Sequence, residues 1–247
     1  MMDLFQRATN PVAFARNTLQ FRPDEVQAEI LSTTEPRILI NCCRQWGKST
    51  TTAALVAYTL WHMAGSLVLL LAPSARQSAE IFRKVLDFLR PLGIPIRGDG
   101  TNPVSLLLPN QARLIALPGG DATIRGFSAV SLLVLDEAAR IPDETYFAVR
   151  PMLAANPNAV LCAVSTPHGQ KGFFYEAWTN GGTLWQRFHV PATECPRLSP
   201  AFLAEEKFVL GDTRFRQEYL CEFLQPDDCC FPADLIDAAF TRDGKPL

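Results

Sequence analysis

Two short stretches of the chain carry side chains suited to phosphate chemistry. Cys42-Cys43-Arg44-Gln45-Trp46-Gly47-Lys48-Ser49-Thr50 follows the apolar run Ile38-Leu39-Ile40, and Leu132-Leu133-Val134-Leu135 ends in Asp136-Glu137. An ammonium in a tight loop neutralises phosphate oxygens, and backbone N–H groups at a helix start cradle them. A hydroxyl beside the lysine ligates magnesium, which prefers hard oxygen ligands. Two adjacent acids at a strand end repel each other unless a cation lies between them. The set suits magnesium with ATP: Lys48 on the phosphates, Ser49 and Asp136 on the metal, and Glu137 as general base toward the attacking water. Cys43, Arg44, Gln45, Trp46, Gly47 and Thr50 complete the expected cradle. The usual loop reads G-x-x-x-x-G-K-[ST]; here Gly47, Lys48 and Ser49 fit, whereas Cys42 stands at the leading glycine position. Taken singly, Gly-Lys-Ser also suits a surface helix start, and Asp-Glu a pair of solvated loop acids.

Further candidates are positioned around these two stretches. Arg44, inside the loop, has three readings: contact with the γ-phosphate, sensing of the nucleotide, or binding to a neighbouring carboxylate. Ser165-Thr166-Pro167 follows an apolar run, where helicase-like ATPases place a hydroxyl loop that couples hydrolysis to movement; the same residues suit a strand-ending turn. Gln27 lies in Phe21-Arg22-Pro23-Asp24-Glu25-Val26-Gln27, and its amide donates and accepts at once, which matches an adenine edge as well as an ordinary helix surface. An arginine on the transition state accelerates phosphoryl transfer by about 10³–10⁵-fold. Arg125, in the glycine-rich stretch before the acidic strand, is the candidate for acting on a neighbouring subunit's nucleotide, with Arg140 and Arg150 as runners-up.

The elements that must position these groups are legible in the hydrophobic pattern. Arg37–Cys42, Leu67–Ala72, Ser131–Leu135 and Ala159–Val164 read as buried strands. Between them Gly47–Met63, Ala75–Arg90 and Asp143–Leu153 read as helices, the last despite Pro151, and residues 23–33 as an earlier one. Ser105–Leu108 and Ala112–Leu117 suggest a hairpin, and Leu184–Val190 alternates as a further strand. Buried strands alternating with helices imply an α/β fold with a mainly parallel sheet covered on both faces, and ligands of such sheets gather at the carboxyl ends of the strands. The lysine loop, Ala72-Pro73-Ser74, Asp136-Glu137 and Ser165-Thr166 are all expected on that one edge. Residues 1–192 form the expected ATPase core. Residues 193–230, with helical stretches at Leu203–Leu210 and Phe215–Phe223, form a small lid-like subdomain, and 231–247 a tail. On Ala75–Arg90 the residues Arg76, Arg83, Lys84 and Arg90 oppose the apolar side and are candidate DNA contacts. Glu80 with Lys84 and Arg83 with Asp87 also fit helix ion pairs, which would make this a self-paired solvated face.

Composition narrows the partners. The chain has 247 residues, 48% hydrophobic and 19% charged, enough for a sizeable core. A formal net charge of −2 leaves any nucleic-acid contact to a local patch. The longest apolar run, Ser66–Ala72, is too short to span a bilayer, and the N-terminus lacks a secretory signal's apolar stretch. The 7 cysteines include no C-x-x-C spacing, so neither a zinc site nor a disulfide framework is indicated and a reducing cytosolic setting is expected.

These residues, in this order, resemble the large terminase subunit of tailed bacteriophages over about residues 20–225. The more discriminating parts are Ser165-Thr166-Pro167-His168-Gly169-Gln170-Lys171-Gly172-Phe173-Phe174 and Arg214-Phe215-Arg216-Gln217-Glu218-Tyr219-Leu220-Cys221-Glu222-Phe223. The resemblance implies a P-loop NTPase of the RecA/helicase-like ASCE class whose ATP hydrolysis drives double-stranded DNA into a procapsid in the cytoplasm of the bacterial host. It implies self-assembly into a ring on the portal protein, a small terminase subunit as partner, and no membrane association. Lys48 and Ser49 would bind phosphate and magnesium, Arg44 would match the family's loop arginine, and Ser165 and Thr166 would couple hydrolysis to motion. The family's C-terminal nuclease has no counterpart in the short stretch after Phe223, where Asp227, Asp228, Asp234 and Asp237 cannot build such a fold; nuclease activity is not expected of this chain. A related DNA helicase or translocase, and a non-hydrolysing nucleotide-binding assembly protein or prophage relic, are the competing readings.

Overall fold

The computed structural model describes residues 10–119, 124 and 126–225. Helix α1 (Pro11–Asn17) starts where Asn10 Oδ1 accepts from the N–H groups of Val12 and Ala13, with Pro11 at the first helical position, where its missing N–H costs nothing. Helix α2 (Glu25–Ser32) opens on a reciprocal box: Asp24 Oδ1 accepts from Gln27 N–H at 2.8 Å and Gln27 Oε1 accepts from Asp24 N–H at 3.0 Å.

Then strands and helices alternate: β1 (Arg37–Cys42), α3 (Lys48–His62), β2 (Leu67–Ala72), α4 (Ala75–Leu89), the hairpin β3 (Ser105–Leu107) and β4 (Arg113–Pro118), β5 (Leu132–Asp136), α5 (Asp143–Val149), β6 (Val160–Ser165), α6 (Gly172–Thr179), β7 (Gln186–Val190) and α7 (Pro200–Tyr219). They build a 7-stranded sheet in the order β3-β4-β2-β5-β6-β1-β7. Every pairing is parallel except β3 with β4.

The strands read as near-continuous apolar runs because both faces are covered. Alternate residues of one strand enter two separate cores. Ile38, Ile40, Val68, Leu70, Leu132, Val134, Cys162 and Val164 pack with α1–α4 and with Phe215 and Tyr219 of α7. Leu39, Leu69, Leu71, Leu133, Leu135, Leu161 and Ala163 pack with residues of α5 and α6. Each fully buried Leu or Ile contributes about 1.5–3 kcal/mol, so a one-residue slip of β5 would exchange its two core faces.

Several elements differ from expectation. The Asp143–Leu153 helix gives way after Val149 to a 3-10 turn at Arg150–Leu153, because Pro151 has no N–H to continue the α-helical bonding and its ring crowds the carbonyl four residues back. The late segment, α7, is two helical stretches that meet at Gly211, whose φ 74° and ψ 169° are non-helical, in keeping with the two stretches expected there; the second ends at Tyr219 rather than Phe223. Cys221 then adopts φ 61°, which no helix continues through. Strand β7 begins at Gln186, after a 3-10 turn over Gly182–Leu184. Helices α1 and α6 were not anticipated: α6 carries the aromatic run Phe173-Phe174-Tyr175, and its start is fixed from a distance, Phe173 N–H donating to Asp143 Oδ1 at 2.7 Å.

Candidate active site

The loop after β1 turns through two left-handed residues, Gln45 (φ 61°) and Gly47 (φ 102°). Gly47 caps α3, and its carbonyl accepts from the N–H groups of Thr50 and Thr51 at 3.0 Å. The loop's glycine also permits a close approach: a Cβ at Gly47 would lie 3.1 Å from Gln27 Nε2. At the leading-glycine position Cys42 is fully buried in the core at the end of β1, so the cradle is braced by packing there. Trp46, 1% exposed, anchors the loop's middle. Its carbonyl accepts from Gln27 Nε2 at 3.3 Å and also from Arg197 Nη2, which reaches Asp24 Oδ2 at 2.8 Å. Gln27 is thus a buried strut between α2 and the loop. Beside it lies a cleft of about 930 Å³ lined by Pro23, Asp24, Val26, Trp46 and Pro196 among others.

The sheet register brings the remaining groups to the same edge. Asp136 lies opposite Val164, and Asn41 opposite Ser165. Glu137 turns out of β5 in a left-handed conformation (φ 50°), and its Oε1 meets Lys48 Nζ in an ion pair. Burial would drive Lys48 toward its neutral form, but its neighbours Cys42, Glu137 and Asp136 outweigh it and raise its pKa. With Cys42 a neutral thiol, pushed up by burial, the two carboxyl groups are what hold Lys48 protonated. Asp136 is 4% exposed, and burial raises its pKa to about 7 against the pull of Lys48. Its Oδ1 has no hydrogen-bond partner among the described residues. A buried acceptor without a donor is costly unless a ligand satisfies it.

Arg140, one 3-10 turn beyond Glu137, donates from Nη1 to Glu137 Oε2 at 3.1 Å and to Thr166 Oγ1 at 3.2 Å. Its Nη2 lies 3.5 Å from Glu218 Oε1 on α7. The other oxygen of Glu218 accepts from Arg44 Nε at 2.7 Å, so Arg44 takes up the neighbouring-carboxylate role. Arg44 N–H also donates to the Glu218 carbonyl at 3.1 Å. Ser165 is fully buried, with its hydroxyl donating to the Thr166 carbonyl at 2.6 Å. His168 lies beside this cluster, its pKa lowered by burial and by Arg140 and Lys171.

Of the sequence-derived candidates, the structure brings together Lys48, Asp136, Glu137, Thr166 and, through Glu218, Arg44. Ser49 and Thr50 are half-buried in the first turn of α3. Arg150 is at the other end of the sheet, beside Arg37 at the start of β1. Arg125 lies outside the described residues. Arg76, Arg83 and Lys84 are exposed on α4 and Arg90 just past its end, and the ion pairs there are Glu80–Arg83 at 3.0 Å and Asp87–Arg90 at 3.9 Å, one residue nearer along the helix than expected. Glu218 and Arg197 were missed, since nothing local marks a side chain that reaches the loop from more than 150 positions away. No helix among the described residues is long and apolar enough to cross a membrane, and the described cysteines Cys42, Cys43, Cys162, Cys195 and Cys221 are all free.

Comparison with known proteins accords with this geometry. The family model described as terminase large subunit, T4likevirus-type, N-terminal, matches residues 39–238. The terminase large subunit of Thermus virus P23-45 is 26% identical over 267 aligned residues, which take in 93% of this chain and 55% of that protein. The chain thus spans about half the length of the curated relatives it matches. Among solved structures, the large terminase ATPase domain of Thermus phage P74-26 superposes with a TM-score of 0.78 at 22% identity, over 88% of this chain and 100% of that one. The large terminase of a thermophilic bacteriophage, solved in complex with ATP-gamma-S, superposes at 0.63 with 11% identity, over 87% of this chain and 51% of that one. The fold is that of the RecA/helicase-like P-loop ATPases.

Proposed function

This chain belongs to the terminase large-subunit family, as the N-terminal part of its T4likevirus type, and from that premise we propose that it hydrolyses ATP to ADP and phosphate to drive double-stranded DNA into a procapsid. The observation that carries the reading is the meeting of Lys48 with Glu137, next to the buried Asp136, at the carboxyl edge of a parallel sheet. The water oxygen attacks the γ-phosphorus while Glu137 orients it and draws on its proton. The bond from the γ-phosphorus to the bridging oxygen breaks, and ADP leaves with that electron pair. Lys48 offsets the phosphate charge, and the N–H groups of the loop and of the first turn of α3 hold the oxygens.

The unpartnered Oδ1 of Asp136 and the hydroxyl of Ser49 fit a magnesium ion, which supplies charge neutralisation across the phosphates when bound. The base is assigned to the cleft beside Trp46, lined by Pro23, Asp24 and Val26, with the Gln27 that braces Trp46 as the adenine-reading candidate. Thr166, tied through Arg140 to both Glu137 and Glu218, is assigned to pass the state of the site to residues 193–230, which we read as the lid, and Ser165, whose hydroxyl donates to the Thr166 carbonyl, is assigned to the same coupling step. Arg125 is assigned to a neighbouring subunit's nucleotide within a ring on the portal protein. The exposed α4 row is assigned to DNA, with a small terminase subunit as partner. The relative solved with ATP-gamma-S supports the nucleotide assignment.

The test is a fluorescent-nucleotide titration joined to a phosphate-release assay. Lys48→Ala is expected to lose nucleotide binding by at least about 10²-fold, the value of removing a charged phosphate contact with little screening. Wild-type affinity in that variant would sink the assignment.

A further inference from the structure

Arg140 stands where three otherwise separate parts of the site meet. Its guanidinium touches Glu137 from the end of β5, Thr166 from the end of β6 and Glu218 from α7, at 3.1, 3.2 and 3.5 Å. The side chains of Arg140, Glu137 and Glu218 are only 27%, 17% and 15% exposed. The two oxygens of Glu137 have different partners: Oε1 faces Lys48, and Oε2 faces Arg140. A lysine that turns to a phosphate abandons Oε1. The carboxylate then stays oriented only if Oε2 is held independently.

We propose that Arg140 is the positioning residue of this site: it fixes Glu137 through Oε2 so that Lys48 can pass from carboxylate to phosphate without the base losing its aim. The proposal rests on the ATPase reading above. It acts within one chain, in contrast to a finger reaching into a neighbour. The planar fork suits the task, because one guanidinium nitrogen serves Glu137 and Thr166 together while the other faces Glu218; an ammonium is a single point and cannot span them. The guanidinium is placed against the base, not against the γ-phosphate, so its loss should reach the rate and leave binding alone.

The experiment compares wild type, Arg140→Ala, Arg140→Lys, Glu137→Gln and the Arg140→Ala/Glu137→Gln double variant, each first shown to melt as the wild type does. Misplacing a reacting group by about 1 Å costs on the order of 10²-fold. Arg140→Ala should therefore lose about 10–100-fold in kcat, with the dissociation constant for ATP changed less than about 3-fold. Arg140→Lys should recover little, whereas millimolar methylguanidine should partly restore Arg140→Ala and have no effect on Glu137→Gln. In the double variant the arginine change should add almost nothing, as for residues that act as one unit. Wild-type kcat in Arg140→Ala, or a loss of affinity matching the loss of rate, would overturn the proposal. So would recovery of turnover on mixing Arg140→Ala with Lys48→Ala protein, which marks an arginine acting across subunits. Absence of phosphate release from wild type, or normal release from Glu137→Gln, would instead bring down the ATPase reading beneath it.

Discussion

Replacing Glu137 by Gln separates two duties of one carboxylate. In the structure its Oε1 holds the Lys48 ammonium, and the two side chains are 17% and 15% exposed. ATP must draw Lys48 away from that partner before the lysine can serve phosphate. A charge-assisted hydrogen bond contributes about 1.5–3 kcal/mol. Because both ends remain partly reachable by water, a discounted value of about 1–2 kcal/mol is appropriate. Glutamine keeps the shape and removes the charge, so the internal competitor weakens by that amount. ATP affinity is expected to rise about 5–30-fold, while turnover falls about 10²–10⁴-fold with the loss of the base. A fluorescent-nucleotide titration and a phosphate-release assay on one preparation read both effects. Raising salt should erode the tightening only slightly, since the pair is half-enclosed. Equal or weaker ATP binding in the variant would show that Lys48 is not withheld by Glu137, and unchanged turnover would remove Glu137 from the chemistry.

Two further expectations concern the frame. Although burial pushes the Asp99 carboxyl up, hydrogen bonds from Asn102, Thr101 and Ser105 pull harder and hold its pKa below the ordinary 3.8. A depressed carboxylate stabilises the fold above its ordinary pKa, and the contribution is lost as pH falls through the native value. Asp99→Asn should therefore cost about 1–3 kcal/mol at pH 7, and urea unfolding should show the gap closing in acid; a gap constant with pH would refute this. Gly181 has an ordinary φ of −71°, but an added Cβ would strike the Ala177 carbonyl oxygen and come within 2.7 Å of Trp185 Cδ1. Gly181→Ala should cost about 1–3 kcal/mol and lower Tm by several degrees, and an unchanged melting curve would contradict the packing at the end of α6.

What was legible in the sequence follows from the reach of each interaction. Strands β1 and β2 fall on the residues expected, Arg37–Cys42 and Leu67–Ala72, because burial on both faces writes an unbroken apolar run into the chain. The hairpin of β3 and β4 declared itself through Pro109-Asn110-Gln111, where Gln111 takes φ 66°. The meeting of Lys48, Asp136, Glu137 and Thr166 also followed, since each ends or follows a parallel strand and such loops share an edge. The partners of Arg44 and Arg140 did not. They depend on where α7 returns to the sheet, which is fixed by Phe215, Tyr219 and Cys221 entering the core and by Asn41 Nδ2 donating to the Cys221 carbonyl at 2.9 Å. Nothing in the local pattern near Arg214–Phe223 specifies that docking. Helix α6 was hidden for a related reason: its start depends on Asp143, and aromatic residues suit strands as readily as helices.

The charge arrangement at this edge has a consequence for how a triphosphate is held. Lys48, Arg140 and Arg44 face Glu137 and Glu218, with Asp136 buried beneath them. These cations are already matched by carboxylates of the same chain. On the ATPase reading, a triphosphate would therefore gain its contacts with these cations by exchange, replacing carboxylate oxygens, beside the contacts it makes with backbone N–H groups. If Lys48 and Arg44 both exchanged carboxylate for phosphate, Glu137 and Glu218 would be left sharing Arg140. The ends of β5 and β6 and the last turns of α7 would then depend on one guanidinium. A ligand shifts a conformational equilibrium only by its differential interaction with the two states. Here the difference falls on the contacts that tie α7 to the sheet, so nucleotide occupancy and the seating of α7 are expected to be linked through Glu218 and Arg140.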